Sequence, residues 1–264
     1  MITFSVKSDL EATITRFARI AGDQMPFATA VALTRTAKAA KEEIERQLPS
    51  LIDNPTPYTM RGFRLYPATK RKLLAEVDFR VAMGRGTQAR DYLAPLVYGG
   101  QRKIKAFERS LQRVGLLPSG MAAVPGKAAR LDAYGNMSRG QITQILSYFK
   151  AFGEQGYRAN ITDKRKASMA KGSKRTGARG VSYFVGKPNG GRHPSGVWQK
   201  TNFGELGSAI KPIIIFINRP AYRKQLDVPG IAERVIRGRF ADELSRAVTQ
   251  ARRTAIPKAQ MTLI

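Results

Sequence analysis

Cysteine is absent from the 264-residue chain, which rules out disulfides, iron–sulfur clusters and thiolate zinc sites. Histidine occurs once, as His193 in Gly190-Gly-Arg-His-Pro194. A serine triad would have to use a base in a turn, and a histidine-rich metal site is impossible. Acidic residues are scarce: 19 Asp and Glu stand against 46 Lys and Arg. Long apolar runs are missing too, since Ile213 to Ile217 is far shorter than the roughly 20 residues of a membrane span. Met1-Ile-Thr-Phe-Ser-Val-Lys7 lacks the basic-then-apolar order of a secretory signal. The expectation is a soluble protein made in the cytoplasm, with no membrane partner.

What is there is positive charge, a formal +27. Self-repulsion of that size disfavours a compact lone monomer and attracts polyanions, so nucleic acid or an acidic protein surface is the expected partner. With 42% hydrophobic and 25% charged residues the composition is that of a globular chain, long enough for one large domain or two modest ones.

The periodicity predicts an α+β fold: an antiparallel sheet packed with long N- and C-terminal helices, plus a basic Gly/Pro-rich insertion. Asp9 is a candidate cap for a first helical segment carrying Leu10, Ile14 and Phe17. A longer helix starts near Pro26, carries Phe27, Val31, Ala37, Ala40, Ile44 and Leu48 on a narrow Ala-rich face, and closes at Pro49. Asp53-Asn-Pro-Thr-Pro-Tyr58 is a loop. Phe63 to Tyr66 and Leu73 to Val81 predict an antiparallel hairpin ended by Gly84 and Gly86. Tyr92 to Tyr98 then leads to Gly99-Gly100 and a helix with Ile104, Phe107 and Leu111. Residues 1–114 are thus the N-terminal part of the core, and 115–207 the insertion, with one helix from Ser138 to Phe152. Residues 208–264 return to the core, with a doubly covered strand at Lys211-Pro-Ile-Ile-Ile-Phe-Ile217 and a final helix from Pro229 carrying Ile231, Val235, Ile236, Phe240, Leu244, Val248 and Ala251.

Catalytic motifs are wanting, and the expectation is no enzyme and no cofactor. Glu76 and Asp78 fall on one side of a strand, as in a metal-dependent nuclease, but Phe79 and Arg80 follow where such enzymes place a lysine. Acids balancing Lys70, Arg71 and Lys72 are the simpler account of that pair. Gly120 to Lys127 and Gly180 to Lys187 each have one residue too many between glycines for a phosphate loop, and neither lysine precedes Ser or Thr.

The binding signal is stronger. The run from Lys164 to Arg179 holds Lys164, Arg165, Lys166, Lys171, Lys174, Arg175 and Arg179 with no acid, and predicts a segment that is mobile until a partner orders it. Two readings stand for these cations: contact with a polyanion, or contact with neighbouring subunits. Tyr183, Phe184 and Trp198 follow and offer rings for stacking on bases, although a strand pair packed on the core accounts for them more simply. No sequence-reading DNA or RNA motif accompanies them.

Seven stretches carry a family resemblance: Pro55-Thr-Pro-Tyr58, Tyr66-Pro-Ala-Thr-Lys70, Leu131-Asp-Ala-Tyr-Gly-Asn-Met-Ser-Arg-Gly-Gln141, Ile145-Leu-Ser-Tyr148, Val197-Trp-Gln199, Lys211-Pro to Phe216 and Pro220-Ala-Tyr-Arg-Lys224. On these the chain resembles tailed-bacteriophage virion proteins of the tail-completion type, similar to the minor tail protein Z of lambdoid phages. The resemblance implies a non-enzymatic structural protein at the head–tail junction or the top of the tail. It further implies a homo-oligomeric ring around the DNA path that meets portal or adaptor proteins, other tail proteins and packaged DNA. The alternative is a free, sequence-independent nucleic-acid-binding protein of phage replication or packaging.

Overall fold

The computed structural model describes residues 24–81, 87–153, 159–173 and 175–255. The helix expected at Leu10, Ile14 and Phe17, the glycines Gly84 and Gly86, and the tail from Ile256 lie outside these residues. The chain is α+β and divides into two compact units, Met1–Gly100 with Arg223–Ile264, and Gln101–Tyr222. The second unit starts and ends some fifteen residues beyond the insertion expected at 115–207. The physical reason is strand pairing: the apolar strand expected to rejoin the core at residues 208–264 pairs inside the second unit instead.

In the first unit, helix α1 (Met25–Leu51) packs along the last helix, called α7 below (Val228–Ala255). Pro26 suits the first turn, where its missing N–H costs no bond. The face turned inward in the N-terminal half is not the expected one. Phe27 is exposed and Val31 half-buried, while Ala28, Ala32 and Thr36 are buried. Small side chains let the helices approach, so Met25, Ala28 and Ala32 cluster with Phe240, Leu244, Ala247, Val248 and Ala251. Further along, Ile44 and Leu48 point into a second cluster with Phe63, Val77, Leu93 and Ile231. The helix runs through Pro49 to Leu51, two residues beyond its expected close.

A one-turn helix, α2 (Pro57–Met60), is capped by Thr56, whose hydroxyl accepts from the Thr59 N–H. Strands β1 (Phe63–Tyr66) and β2 (Glu76–Phe79) then pair antiparallel, with Phe63 opposite Phe79 and their rings stacked at 5.2 Å. The second strand is shorter than the expected 73–81, and Leu73 and Val81 are exposed. Pro67 ends β1 because it has no N–H for the ladder, and Thr69 turns the chain by accepting from the Lys72 N–H. The stretch expected only to lead into the glycines is a helix, α3 (Ala89–Tyr98), despite its internal Pro95. It is held from outside: the Leu96 carbonyl accepts from the N–H groups of Gln225 and Leu226.

The second unit is built on a four-stranded antiparallel sheet. Its strands are β3 (Met121–Pro125), β4 (Gly180–Gly186), β5 (Gly196–Asn202) and β6 (Ser208–Asn218), in spatial order β3-β6-β5-β4. The apolar run is interior, as its composition predicts. A register shift opposite Val197 and Trp198 puts both Ile213 and Ile214 in the core, where strict alternation would expose one of them. Helices α4 (Ala106–Arg113), α5 (Arg139–Tyr148) and α6 (Asp163–Lys171) accompany the sheet. Helix α5 stops four residues short of Phe152, because Lys150 takes the left-handed conformation and Ala151 N–H returns to the Leu146 carbonyl.

One fully buried carboxylate organises this unit. Glu108 on α4 accepts from both Arg102 guanidinium nitrogens at 2.6 and 2.8 Å, from Lys105 N–H at 2.7 Å and from Ala123 N–H at 2.8 Å. The last bond closes the outer edge of β3, whose N–H would otherwise be orphaned. Burial by itself raises the Glu108 carboxyl, but Arg102 and the two backbone donors outweigh it and hold the group below the usual carboxylate range.

Leu244→Ala is expected to cost about 2–5 kcal/mol by cavity formation at the α1–α7 contact, read from urea unfolding. Glu108→Gln is expected to cost about 3–5 kcal/mol, because it leaves Arg102 largely buried without its counter-charge. The wild-type contribution is complete above the unfolded carboxylate value of about 4.3. It is lost as the pH falls through the lower folded value, so the variant should lack that part of the acid dependence. Parallel acid profiles would sink the assignment.

Candidate functional site

Charge is unevenly divided. Residues 101–222 hold 22 Lys and Arg against five Asp and Glu, which is +17 of the chain's +27. Of the four acids described there, three are engaged within the unit and Glu205 is exposed. Glu108 is buried with Arg102, Asp132 accepts from the N–H groups of Tyr134 and Asn136, and Asp163 pairs with Lys150 at 3.0 Å. The backbone bond from Asn136 and its companion from Tyr134 hold the Asp132 carboxyl below its ordinary value, and the Lys150 hydrogen bond does the same for Asp163.

The first half of the basic run expected to be mobile, 164–171, is instead helical, as α6. Thr162 caps it by accepting from Arg165 N–H, Asp163 suits the positive end of the helix dipole, and Ala167, Ala170 and the long basic side chains favour helix. No residue of α6 is fully buried. The helix is held by backbone approach: a Cβ on Gly180 would stand 2.1 Å from the Ala170 carbonyl oxygen, and Gly172 leaves the helix at φ +72°. A bridge between Ser173 and Ala178 closes the turn into β4.

The seven cations separate into groups. Lys164, Arg165 and Lys171 on α6 and Arg175 in the following turn are exposed and make no ion pair among the described residues. Lys166 folds back over the Tyr148 ring, 4.4 Å from its centroid, and Arg179 covers Phe203 at 4.7 Å. Lys174 lies outside the described residues. Lys150, which sequence reading passed over, joins the group through Asp163, and the signal was there in Thr162-Asp163 as a helix start.

Two of the three candidate rings, Tyr183 and Trp198, are buried, while Phe184 is half-buried. Tyr183 and Trp198 are 7% and 3% exposed, and Tyr183 meets Tyr148 edge to face at 5.1 Å. Trp198 packs against His193 at 5.2 Å, which gives the only histidine a packing role. Burial pushes the Tyr183 phenol up, with Arg130 pulling the other way.

The long helices of the first unit differ. There Lys41 meets Glu45 at 2.6 Å, Lys38 meets Glu42 at 3.9 Å, and Arg246 meets Glu243 at 3.3 Å, at spacings of three or four residues. The Glu76 and Asp78 pair gathers no third acid: Asp78 accepts from the Phe79 N–H, Glu76 lies 3.6 Å from Lys72, and no cluster of three metal-ligating side chains occurs among the described residues. An open groove of about 490 Å³ runs between α1 and the turn after β1, lined by Phe27, Val31, Thr34 and Pro67 among others. Its cations are already engaged, Arg35 with Glu243 and Gln250, and Lys70 over the Phe27 ring. No helix among the described residues is long and apolar enough to cross a membrane.

The resembling stretch 131–141 forms a pinned turn. Leu131 bridges Met137, the Gln141 side chain accepts from Arg130 N–H, and Ser138 caps α5. No family model matches the chain, and searches of curated proteins and of solved structures return no match either.

Gly180→Ala is expected to push α6 off β4. Limited trypsin digestion should then cut within 164–171 at least tenfold faster than in the wild type, and unchanged cleavage would contradict the tight contact.

Proposed function

We propose that this chain is a non-enzymatic virion structural protein of a tailed phage, one that completes the tail and joins it to the head in a ring around the DNA path. One observation carries the reading. The 101–222 unit concentrates positive charge, and its described acids are mostly committed to internal bonds. A subunit of this kind is stabilised by what surrounds it, whether acidic neighbours or DNA, and a neck supplies both. The resemblance at 131–141 and 220–224 supports the same assignment, and the first of these stretches forms a turn and a helix cap. Homo-oligomerisation, contact with portal or adaptor proteins and residence at the head–tail junction are parts of the proposal.

The same basic surface supports a second reading, a free protein that binds nucleic acid without regard to sequence in replication or packaging. Purified particles separate the two. Cryo-electron microscopy is expected to find this chain as a ring at the head–tail junction, and particles lacking it should accumulate unjoined heads and tails. Complete, infectious particles without the chain would reject the virion role.

A further inference from the structure

We infer that the exposed cations Lys164, Arg165 and Lys171 of α6 and Arg175 of the turn that follows it bind the phosphate backbone of duplex DNA, with no reading of bases. The inference deepens the proposed role along a DNA path and rests on that reading for its biological setting, although its chemistry is that of the isolated protein.

Four observations point the same way. First, these cations are exposed and lack carboxylate partners among the described residues, whereas the cations cited above on the long helices of the first unit are neutralised within their own helix. Second, the helix that carries Lys164, Arg165 and Lys171 is already formed, capped by Thr162 and seated on Gly180, so binding by these three carries little ordering cost. Third, Lys164 and Lys171 are seven residues apart, two helical turns, and so share one side of α6 at a separation of roughly 10 Å. That separation spans about three steps of a duplex strand at roughly 3.4 Å each. Fourth, the stretch 163–179 carries no ring that could stack on a base. Tyr148, Tyr183 and Trp198 are buried, and Lys166 and Arg179 are drawn onto rings.

An acidic protein surface fits less well. Protein interfaces are anchored by aromatic or large apolar side chains at their centre. The exposed large apolar residues of this unit, among them Leu131, Tyr134 and Leu206, all fall outside 163–179. A face of cations with only small side chains and half-buried Met169 between them suits a partner whose charge is regular and whose contact is polar.

The test uses the full chain and a 20-base-pair duplex, in two unrelated sequences, followed by fluorescence anisotropy from low to high salt. Four phosphate contacts at about 0.9 each predict that the Lys164→Gln, Arg165→Gln, Lys171→Gln, Arg175→Gln variant loses about 3.6 from the slope of log K against log salt. Its thermal midpoint should match the wild type, since all four side chains are exposed. A control variant removes four exposed cations of the first unit, Arg61, Arg71, Arg80 and Arg90, and should change the slope by less than about one contact.

An unchanged slope in the α6 variant overturns the inference. So does loss of binding to polyglutamate with DNA binding intact, which would assign the face to an acidic protein. A strong preference for single strands with quenching of Trp198 fluorescence would overturn the claim that bases are not read. The expected slope loss in a protein missing from purified particles would leave this inference standing while rejecting the virion role.

Discussion

A carboxylate removed from water as completely as that of Glu108 stays ionised only where donors converge on it, and in the 101–222 unit four do so from three places in the chain. Arg102 and Lys105 bring the loop before α4, and Ala123 brings the edge of the sheet. The cost of burying the charge is thereby turned into specificity: α4 can sit in only one register against β3, and the strand edge offers no free N–H at that point to a passing chain. The interior run of β6 then has a fixed neighbour on one side, with β5 and β4 following on the other. The placement of α6 depends on that order, since it docks at the start of β4 through Gly180.

The scarcity of acids has a second consequence. With so few carboxylates in this unit, those engaged in caps, turns and the buried pair are unavailable to neutralise the surface. The first unit, with more acids, lays Glu beside Lys or Arg along its two long helices and presents a mixed surface there. Net charge of one sign is tolerated in the other unit because the cations that crowd the core border spread over rings, Lys166 on Tyr148 and Arg179 on Phe203. Lys164, Arg165, Lys171 and Arg175 face solvent, and the proposed DNA contact follows from them.

Much of the architecture was legible. The 3.6-residue period located α1, α5 and α7, and the apolar run located the interior strand. Two of the pieces that escaped share a cause, which is that burial and pairing are decided by a neighbour. Ala28 and Ala32 displaced Phe27 and Val31 from the inner face of α1 because α7 packs close there. The strand at 73–81 shrank to four residues because its partner ends at Pro67. The basic run was read by charge alone, which predicted mobility, while its cap and helix-forming residues specified a helix. Of the candidate site, the identities of the cations were readable, but their separation into exposed and ring-bound groups was not.

By itself, the sequence determined the thiolate and histidine-cluster chemistry this protein lacks and the sign of its net charge, because those sites need residue types that are absent, and net charge is a sum over residues that folding does not change. It also determined the α+β class, since hydrophobic period is a local property. Only the tertiary structure decided which unit owns the interior strand, which side chains of the basic run remain exposed, and that Tyr183 and Trp198 are core. Those outcomes depend on pairing between segments far apart in the chain, and a long-range contact such as Glu108 to Ala123 or Ala170 to Gly180 leaves no periodic trace in the residues that make it.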